Sequence, residues 1–279
     1  MSSGDRIQST FSRLKKEGRA GLVTFITAGD PDPKTSQQLM TQLPDAGSDI
    51  IELGMPFSDP MADGPAIQAA NLRALASGAS LMGTLDMVRR FRENNSTTPV
   101  ILMGYFNPIY QYGPSRFVTD AVAAGVDGLI MVDLPPEEDE ELCDPARTAG
   151  LHWVRLVTPT SNEGRLKQVL QNTSGFIYYV SIAGITGTRS AAASAIGEAL
   201  ATVRKHTQLP IAVGFGINTA EQVRETGEVA DGAVVGSAII REIENNLDAS
   251  GCAKPELLDR VTGLVSDLAG GLRQSLIHI

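Results

Sequence analysis

Eight short apolar runs, each closed by a turn signal and followed by a stretch with helical periodicity, constrain this chain more than any other feature. They are "LVTFIT" (22–27), "DIIEL" (49–53), "PVILM" (99–103), "GLIMV" (128–132), "HWVRLV" (152–157), "GFIYYV" (175–180), "PIAVG" (210–214) and "GAVVG" (232–236). Val and Ile dominate them, as they do in strands covered on both faces, so the repeating unit is strand, crossover and helix around a parallel sheet. Stretches between them, such as "PKTSQQLMTQLPDAG" and "SRFVTDAVAAG", end in glycine as helix C-caps do. Eight strands with eight crossovers predict a closed α/β barrel, the (β/α)8 or TIM type, and 279 residues suit one such domain spanning 1–279. An open doubly wound sheet would usually carry GxGxxG after its first strand, but here "AGDPD" follows.

The segment "SSGDRIQSTFSRLKKEG" ahead of the first run reads as an extra amphipathic helix, placed to plug the floor of the barrel. Residues 246–253, "NLDASGCA", read as a loop before a last helix, "PELLDRVTGLVSDLAGGL". No linker or low-complexity tract interrupts the pattern, so no boundary marks a second domain.

A net charge of −9 argues against nucleic acid or an anionic membrane as the main partner, since either needs a basic surface to meet it. The longest apolar runs fall far short of the roughly 20 residues of a membrane span. The first twenty residues lack the apolar core of a signal peptide, which predicts a cytoplasmic protein. Cys143 and Cys252 show no metal-ligand spacing and read as reduced thiols. His152, His206 and His278 are scattered, and no metal site is expected.

Charge appears in an unexpected place within "IELGMPFSDPMADGP" (51–65), where Glu52, Asp59 and Asp63 interrupt the end of a buried strand and its loop. Alternation puts Glu52 on the face opposite Ile51 and Leu53. Against the helix layer it would be buried without a partner, which is costly, so the barrel mouth is favoured. Asp63 lies eleven positions later, in a loop that Gly54, Pro56, Pro60, Gly64 and Pro65 keep from forming a regular helix. Two carboxylates from separate segments can then face one another across a substrate, an arrangement suited to acid–base chemistry. On spacing alone a second reading stands: Asp59 and Asp63 cap turns, and Glu52 is half of a buried ion pair.

The last third of the chain is rich in glycine after successive strands: "SIAGITGTRS" (181–190), "GFGIN" (214–218) and "GSAII" (236–240), the last opening a helix. Glycine lets backbone N–H groups approach an anion, and a helix N-terminus adds its dipole. Together they predict a seat for a phosphate monoester.

These residues resemble a known family. "ELGMPFSDPMADGPAIQ", with "FITAGDPD", "GYFNPIY", "GLIMVDLPPEE", "GITGTR" and "GFGI", is similar to the tryptophan synthase α subunits, from about residue 6 to the last helix. The resemblance implies a lyase that cleaves indole-3-glycerol phosphate to indole and glyceraldehyde 3-phosphate without a cofactor of its own. It implies that the acid–base pair falls on Glu52 and Asp63, with Tyr178 near Glu52 and Thr186 bonded to Asp63. It also implies a phosphate on Gly187, Gly216, Gly236 and Ser237, and an indole slot lined by Phe25, Ile67, Met103, Ile130 and Phe215.

The same resemblance implies a partner, a pyridoxal-phosphate-dependent β subunit, in an αββα heterotetramer. The contact would involve Pro56, Phe57 and Asp59, Asn107 and Pro108 of "NPIY", and Asp133 and Pro135 of "DLPPEE". A loop holding Met55, Pro56, Phe57, Pro60 and Met61 at the barrel mouth suits such a contact. Two other readings share these residues: a stand-alone indole-3-glycerol phosphate lyase, and a catalytically silent barrel that activates a partner.

Overall fold

The computed structural model describes residues 4–181, 189–214 and 216–274. Its nine strands are β1 (Gly21–Thr27), β2 (Ile50–Gly54), β3 (Val100–Gly104), β4 (Gly128–Met131), β5 (His152–Trp153), β6 (Arg155–Val157), β7 (Ile177–Val180), β8 (Ile211–Gly214) and β9 (Gly232–Val235). They form one parallel sheet in the order β5-β4-β3-β2-β1-β9-β8-β7-β6, with helices around it, as in a TIM barrel.

The fifth predicted strand, 152–157, is two short strands instead. Its first half pairs with β4 (Gly128 with His152, Leu129 with Trp153) and its second half with β7 (Arg155 with Ile177). Ser174 takes both backbone groups of Trp153, donating its N–H to the carbonyl at 2.9 Å and accepting the Trp153 N–H on its hydroxyl at 2.9 Å. Val154 N–H still reaches Leu129 O at 2.9 Å. The ring therefore closes through the chain at Val154, because one run of backbone serves both neighbours in turn.

The first helix, Arg6–Glu17, starts at Asp5, whose carboxylate accepts the Gln8 N–H, and ends at Gly18. Ile7, Phe11 and Leu14 recur at helical spacing and pack with Val23, Ile50, Ile101, Ile130, Val154 and Phe176 inside the barrel. The helix thus seals the floor, and burying three such side chains is worth several kcal/mol, about 1.5–3 each as an upper bound. The predicted helices at 33 and 115 run Pro33–Ala46 and Pro114–Ala124, ending at Gly47 and Gly125 with φ of 114° and 87°. The last helix is Leu257–Gln274. No described helix is long and apolar enough to cross a membrane.

Because every strand pair is parallel, the strand C-termini open on one end of the barrel, opposite the plug. On β2, Ile51 and Leu53 join the outer layer between sheet and helices, while Ile50 joins the interior cluster. Glu52 shares the interior parity of Ile50, one step nearer the mouth.

Candidate active site

Glu52 is 1% exposed, and its Oε2 has no hydrogen-bond partner among the described residues. It is paired in register with Phe25 on β1 and Ile101 on β3. Burial, aided by the charge of Asp63, pushes its carboxyl up to about 8. No ion pair to Glu52 exists among the described residues, so the buried-ion-pair reading fails. A carboxyl in this state holds its proton at neutral pH and releases it readily, as a general acid must.

Asp63 arrives from the loop after β2. The loop runs 55–64, and Pro65 opens the helix Pro65–Ala76 behind Gly64. Asp63 Oδ2 accepts the Tyr105 hydroxyl at 3.1 Å, and the same hydroxyl accepts the Ala62 N–H at 3.0 Å. Gln68 Nε2 donates to the Asp63 carbonyl at 2.9 Å, and the Phe57 N–H donates to Asn71 Oδ1 at 2.8 Å. Burial raises the Asp63 carboxyl above its ordinary value, and the Tyr105 bond opposes that rise. Burial and the charge of Asp63 raise the Tyr105 phenol in turn, so it stays a protonated donor.

Tyr105 is not marked as a site residue by the sequence itself. It is the first residue beyond β3, inside the quoted "GYFNPIY", and the signal available was its place at a strand's C-terminal end.

A small cavity beside Asp63 and Tyr105 is lined by those two residues with Phe25, Ile67, Met103 and Val132. The slot residues Phe25, Ile67 and Met103 are therefore brought together with Asp63. Ile130 does not line this cavity: it is wholly buried in the floor cluster with Ile7 and Phe11, against which its register partner Met103 also packs. Tyr178 points inward from β7 against that cluster, and its hydroxyl occupies the space that a Cβ on Gly214 would need. Burial, then Glu52 and Asp63, raise its phenol well above the ordinary value.

The helix Ser237–Asn245 has Gly236 as its N-cap, no side-chain cap and no acidic residue in its first turn. A Cβ at Gly236 would lie 3.2 Å from Phe25 Cβ, so this N-terminus sits beside the cavity wall. Gly216 has φ of 69°, and its carbonyl accepts from Asn218 Nδ2 at 2.5 Å. Thr186, Gly187 and Phe215 lie outside the described residues.

The mouth loops differ from an open apolar patch. Met55, Pro56 and Pro60 are buried and Phe57 stacks 5.4 Å from Tyr105, leaving Met61, 80% exposed, as the apolar side chain in water. Pro56 is buried in the chain by itself, where the loop turns its apolar side inward onto the barrel. Asp59 is exposed and accepts the Ser58 hydroxyl. Asn107, Asp133 and Pro135 are exposed and Pro108 is half-buried. The Phe106 N–H donates to Asp133 Oδ1 at 2.9 Å, tying two of these loops together. No group of His, Cys, Asp and Glu suited to a metal occurs among the described residues.

The model for the tryptophan synthase alpha chain family matches residues 11–264. The fold is similar to tryptophan synthase subunit alpha from Legionella pneumophila str. Paris, at 41% identity and a TM-score of 0.89, over 97% of this chain and 99% of that one. A second alpha chain, from Legionella pneumophila subsp. pneumophila, is 38% identical with a TM-score of 0.88 over 99% of both chains. A tryptophan synthase chain from M. tuberculosis, in an open form with BRD0059 bound, is 31% identical with a TM-score of 0.85 over 97% and 99%.

Proposed function

This chain belongs to the tryptophan synthase alpha chain family, the lyases that cleave indole-3-glycerol phosphate in tryptophan biosynthesis, and from that premise we propose which of its residues carry the reaction. Glu52 is the proton shuttle. Its protonated carboxyl gives a proton to indole C3, which makes the ring an electron acceptor. The resulting carboxylate takes the proton of the hydroxyl on the adjacent side-chain carbon. The C–C bond then breaks, its electron pair returns to the ring as neutral indole, and the hydroxyl carbon becomes the aldehyde of glyceraldehyde 3-phosphate. Protons and electrons balance, and Glu52 is reset.

Asp63 carries the compensating charge. Protonation at C3 places positive charge on ring N1–H, and a carboxylate facing it is stronger in the transition state than in the ground state. Burial opposes ionisation of Asp63, and the Tyr105 hydroxyl keeps the anion in place. Phe25, Ile67 and Met103 hold the flat ring, as an apolar slot should. Tyr178 borders Glu52. Backbone at Gly236 and Ser237, with Gly216, receives the phosphate; Thr186, Gly187 and Phe215 complete the set by the family pattern.

The family's partner is the β subunit, and the family needs no cofactor for this half of the reaction. In our reading the chain works as one domain in the cytoplasm, in an αββα assembly whose β subunits hold pyridoxal phosphate. The observation that carries the proposal is Glu52, fully enclosed, lifted to about 8 and coupled to a loop aspartate. Cleavage of indole-3-glycerol phosphate by the isolated chain, with and without β subunit, tests it. Slow, partner-stimulated turnover is expected. Fast turnover without a partner supports the stand-alone lyase, and no turnover in either condition refutes the catalytic assignment.

A further inference from the structure

Asp30, the first of two aspartates in "FITAGDPD", has no step in the chemistry above, yet it is 1% exposed at the mouth end of β1. Arg73 grips both of its oxygens, with Nε 2.8 Å from Oδ1 and Nη2 3.0 Å from Oδ2. The third nitrogen, Nη1, lies 3.5 Å from Glu244 Oε1. The turn before Asp30 is held from two sides: the Ser77 hydroxyl donates to the Gly29 carbonyl at 3.0 Å, and the Gly29 N–H donates to the Ser36 hydroxyl at 3.0 Å.

The two helices that Arg73 joins are the two that the reaction depends on. Helix Pro65–Ala76 carries Arg73 and begins two residues after Asp63. Helix Ser237–Asn245 carries Glu244 and begins at the phosphate seat. A substrate of fixed length must satisfy both ends at once, so an error in their spacing falls on the reacting atoms. A guanidinium suits this place because its planar fork fixes direction as well as charge.

We infer that Arg73 is a positioning residue: through Asp30 and Glu244 it sets the spacing between the phosphate seat at Ser237 and the carboxylate of Asp63. The inference rests on the acid–base and phosphate assignments proposed above. Burial and, more weakly, the charge of Glu244 raise the Asp30 carboxyl, and the Arg73 pairing opposes that rise, so removing Arg73 leaves a buried carboxyl without its cation.

Arg73→Met alone strands a buried carboxylate, so the test uses Arg73→Met/Asp30→Asn in the full chain, together with Glu244→Gln at the exposed end. The double variant should melt near the wild-type temperature, yet show kcat at least about tenfold lower and a glycerol 3-phosphate inhibition constant within about threefold of wild type. Glu244→Gln should lower kcat in the same direction with an unchanged melting temperature. A folded double variant with wild-type kcat overturns the inference, since Arg73 then only neutralises Asp30. If the double variant does not fold, Glu244→Gln decides: unchanged kcat refutes the strut and lowered kcat at unchanged stability supports it. Wild type, Glu52→Gln and Asp63→Asn run in the same assay separate the two readings. Loss of activity in both carboxylate variants but not in the double variant sinks the strut alone, and an inactive wild type sinks the underlying assignment.

Discussion

The Tyr105 hydroxyl donates to Asp63 Oδ2 at 3.1 Å, joining the end of β3 to the loop that follows β2. Because the same oxygen accepts the Ala62 N–H, Tyr105 fixes both the backbone and the carboxylate of the loop's reacting end. Tyr105→Phe removes the one interaction that opposes the burial-driven rise of the Asp63 carboxyl. If Asp63 must be ionised, the acidic limb of the kcat profile should move to higher pH. The shift should appear in the acidic limb, with kcat lost on the acid side while the basic limb stays in place. An unmoved acidic limb would show that Tyr105 has no hold on the ionisation that matters.

Glu52 gives a prediction with opposite signs for activity and stability. Glu52→Gln keeps the shape without the transferable proton, so cleavage should drop by about 10²–10⁴-fold. The folded-state value near 8 lies above the ordinary carboxyl value of 4.5. Between those limits the unfolded chain ionises while the folded chain does not, so wild-type stability is fully present below about 4.5 and declines as pH rises to about 8. The variant escapes this penalty. Urea unfolding at pH 5 and pH 8.5 should show Glu52→Gln gaining on wild type by a few kcal/mol at the higher pH. A difference that does not change with pH would mean Glu52 is not held neutral.

What the sequence disclosed, and what it hid, follows from period-two geometry. Alternation in "DIIEL" gave the face of Glu52, and burial cost then placed it inward, as found. The same alternation puts Ile130 on the interior face beside its register partner Met103, but it does not say which interior side chains border a cavity. The run 152–157 reads as one apolar strand, because the switch of partners at Val154 is made by Ser174, twenty residues away in the chain. Tyr105 stayed hidden because an aromatic residue after a strand is most simply packing; only the fold brings Asp63 to its hydroxyl. Asp30 and Arg73 are 43 residues apart, and nothing local pairs them.

Asp63→Asn retains a hydrogen-bonding group for the ring but removes the negative charge. The loss should therefore appear in kcat, with KM changed far less, because the charge matters most after C3 is protonated. Steady-state kinetics on indole-3-glycerol phosphate decide this. A variant altered in KM alone would make Asp63 a binding group and remove it from the mechanism.

Ser237→Asp separates the phosphate seat from the fold. The first turn of helix Ser237–Asn245 holds no acid, so a carboxylate there favours the helix dipole and should leave the melting temperature equal or slightly higher. The same charge repels a phosphate dianion. KM for indole-3-glycerol phosphate should rise by about tenfold or more while indole binding stays unchanged. Unaltered inhibition by glycerol 3-phosphate would place the phosphate elsewhere.

The last prediction concerns the loop that holds Asp63 on its inner side and exposes Asp59 and Met61 on its outer side. Its apolar residues already pack inward, with Phe57 on Tyr105 and the Phe57 N–H on Asn71, so a partner cannot be needed merely to cover them. What remains outside is Ser58, Asp59, Met61, Ala62 and Gly64, a small surface that a partner can grip without unfolding the loop. Pulling on Asp59 moves a segment whose next fixed points are the Ala62 N–H and Asp63 itself, both on the Tyr105 hydroxyl. If the β subunit grips this surface, partner binding and the setting of the acid–base pair become one equilibrium, and coupling between them must be reciprocal for binding. Asp59 is not among the cavity-lining residues; its side chain accepts the Ser58 hydroxyl and its carbonyl accepts the Met61 N–H at 2.8 Å. Asp59→Ala should therefore leave the isolated chain's cleavage rate within about twofold while reducing β-subunit stimulation by about 5- to 150-fold, the ordinary range of such couplings. Titrating purified β subunit against both proteins while following indole release measures the two quantities together. Equal stimulation of variant and wild type would remove Asp59 from the coupling route, and a matching loss in the isolated chain would make it a structural cap of the loop.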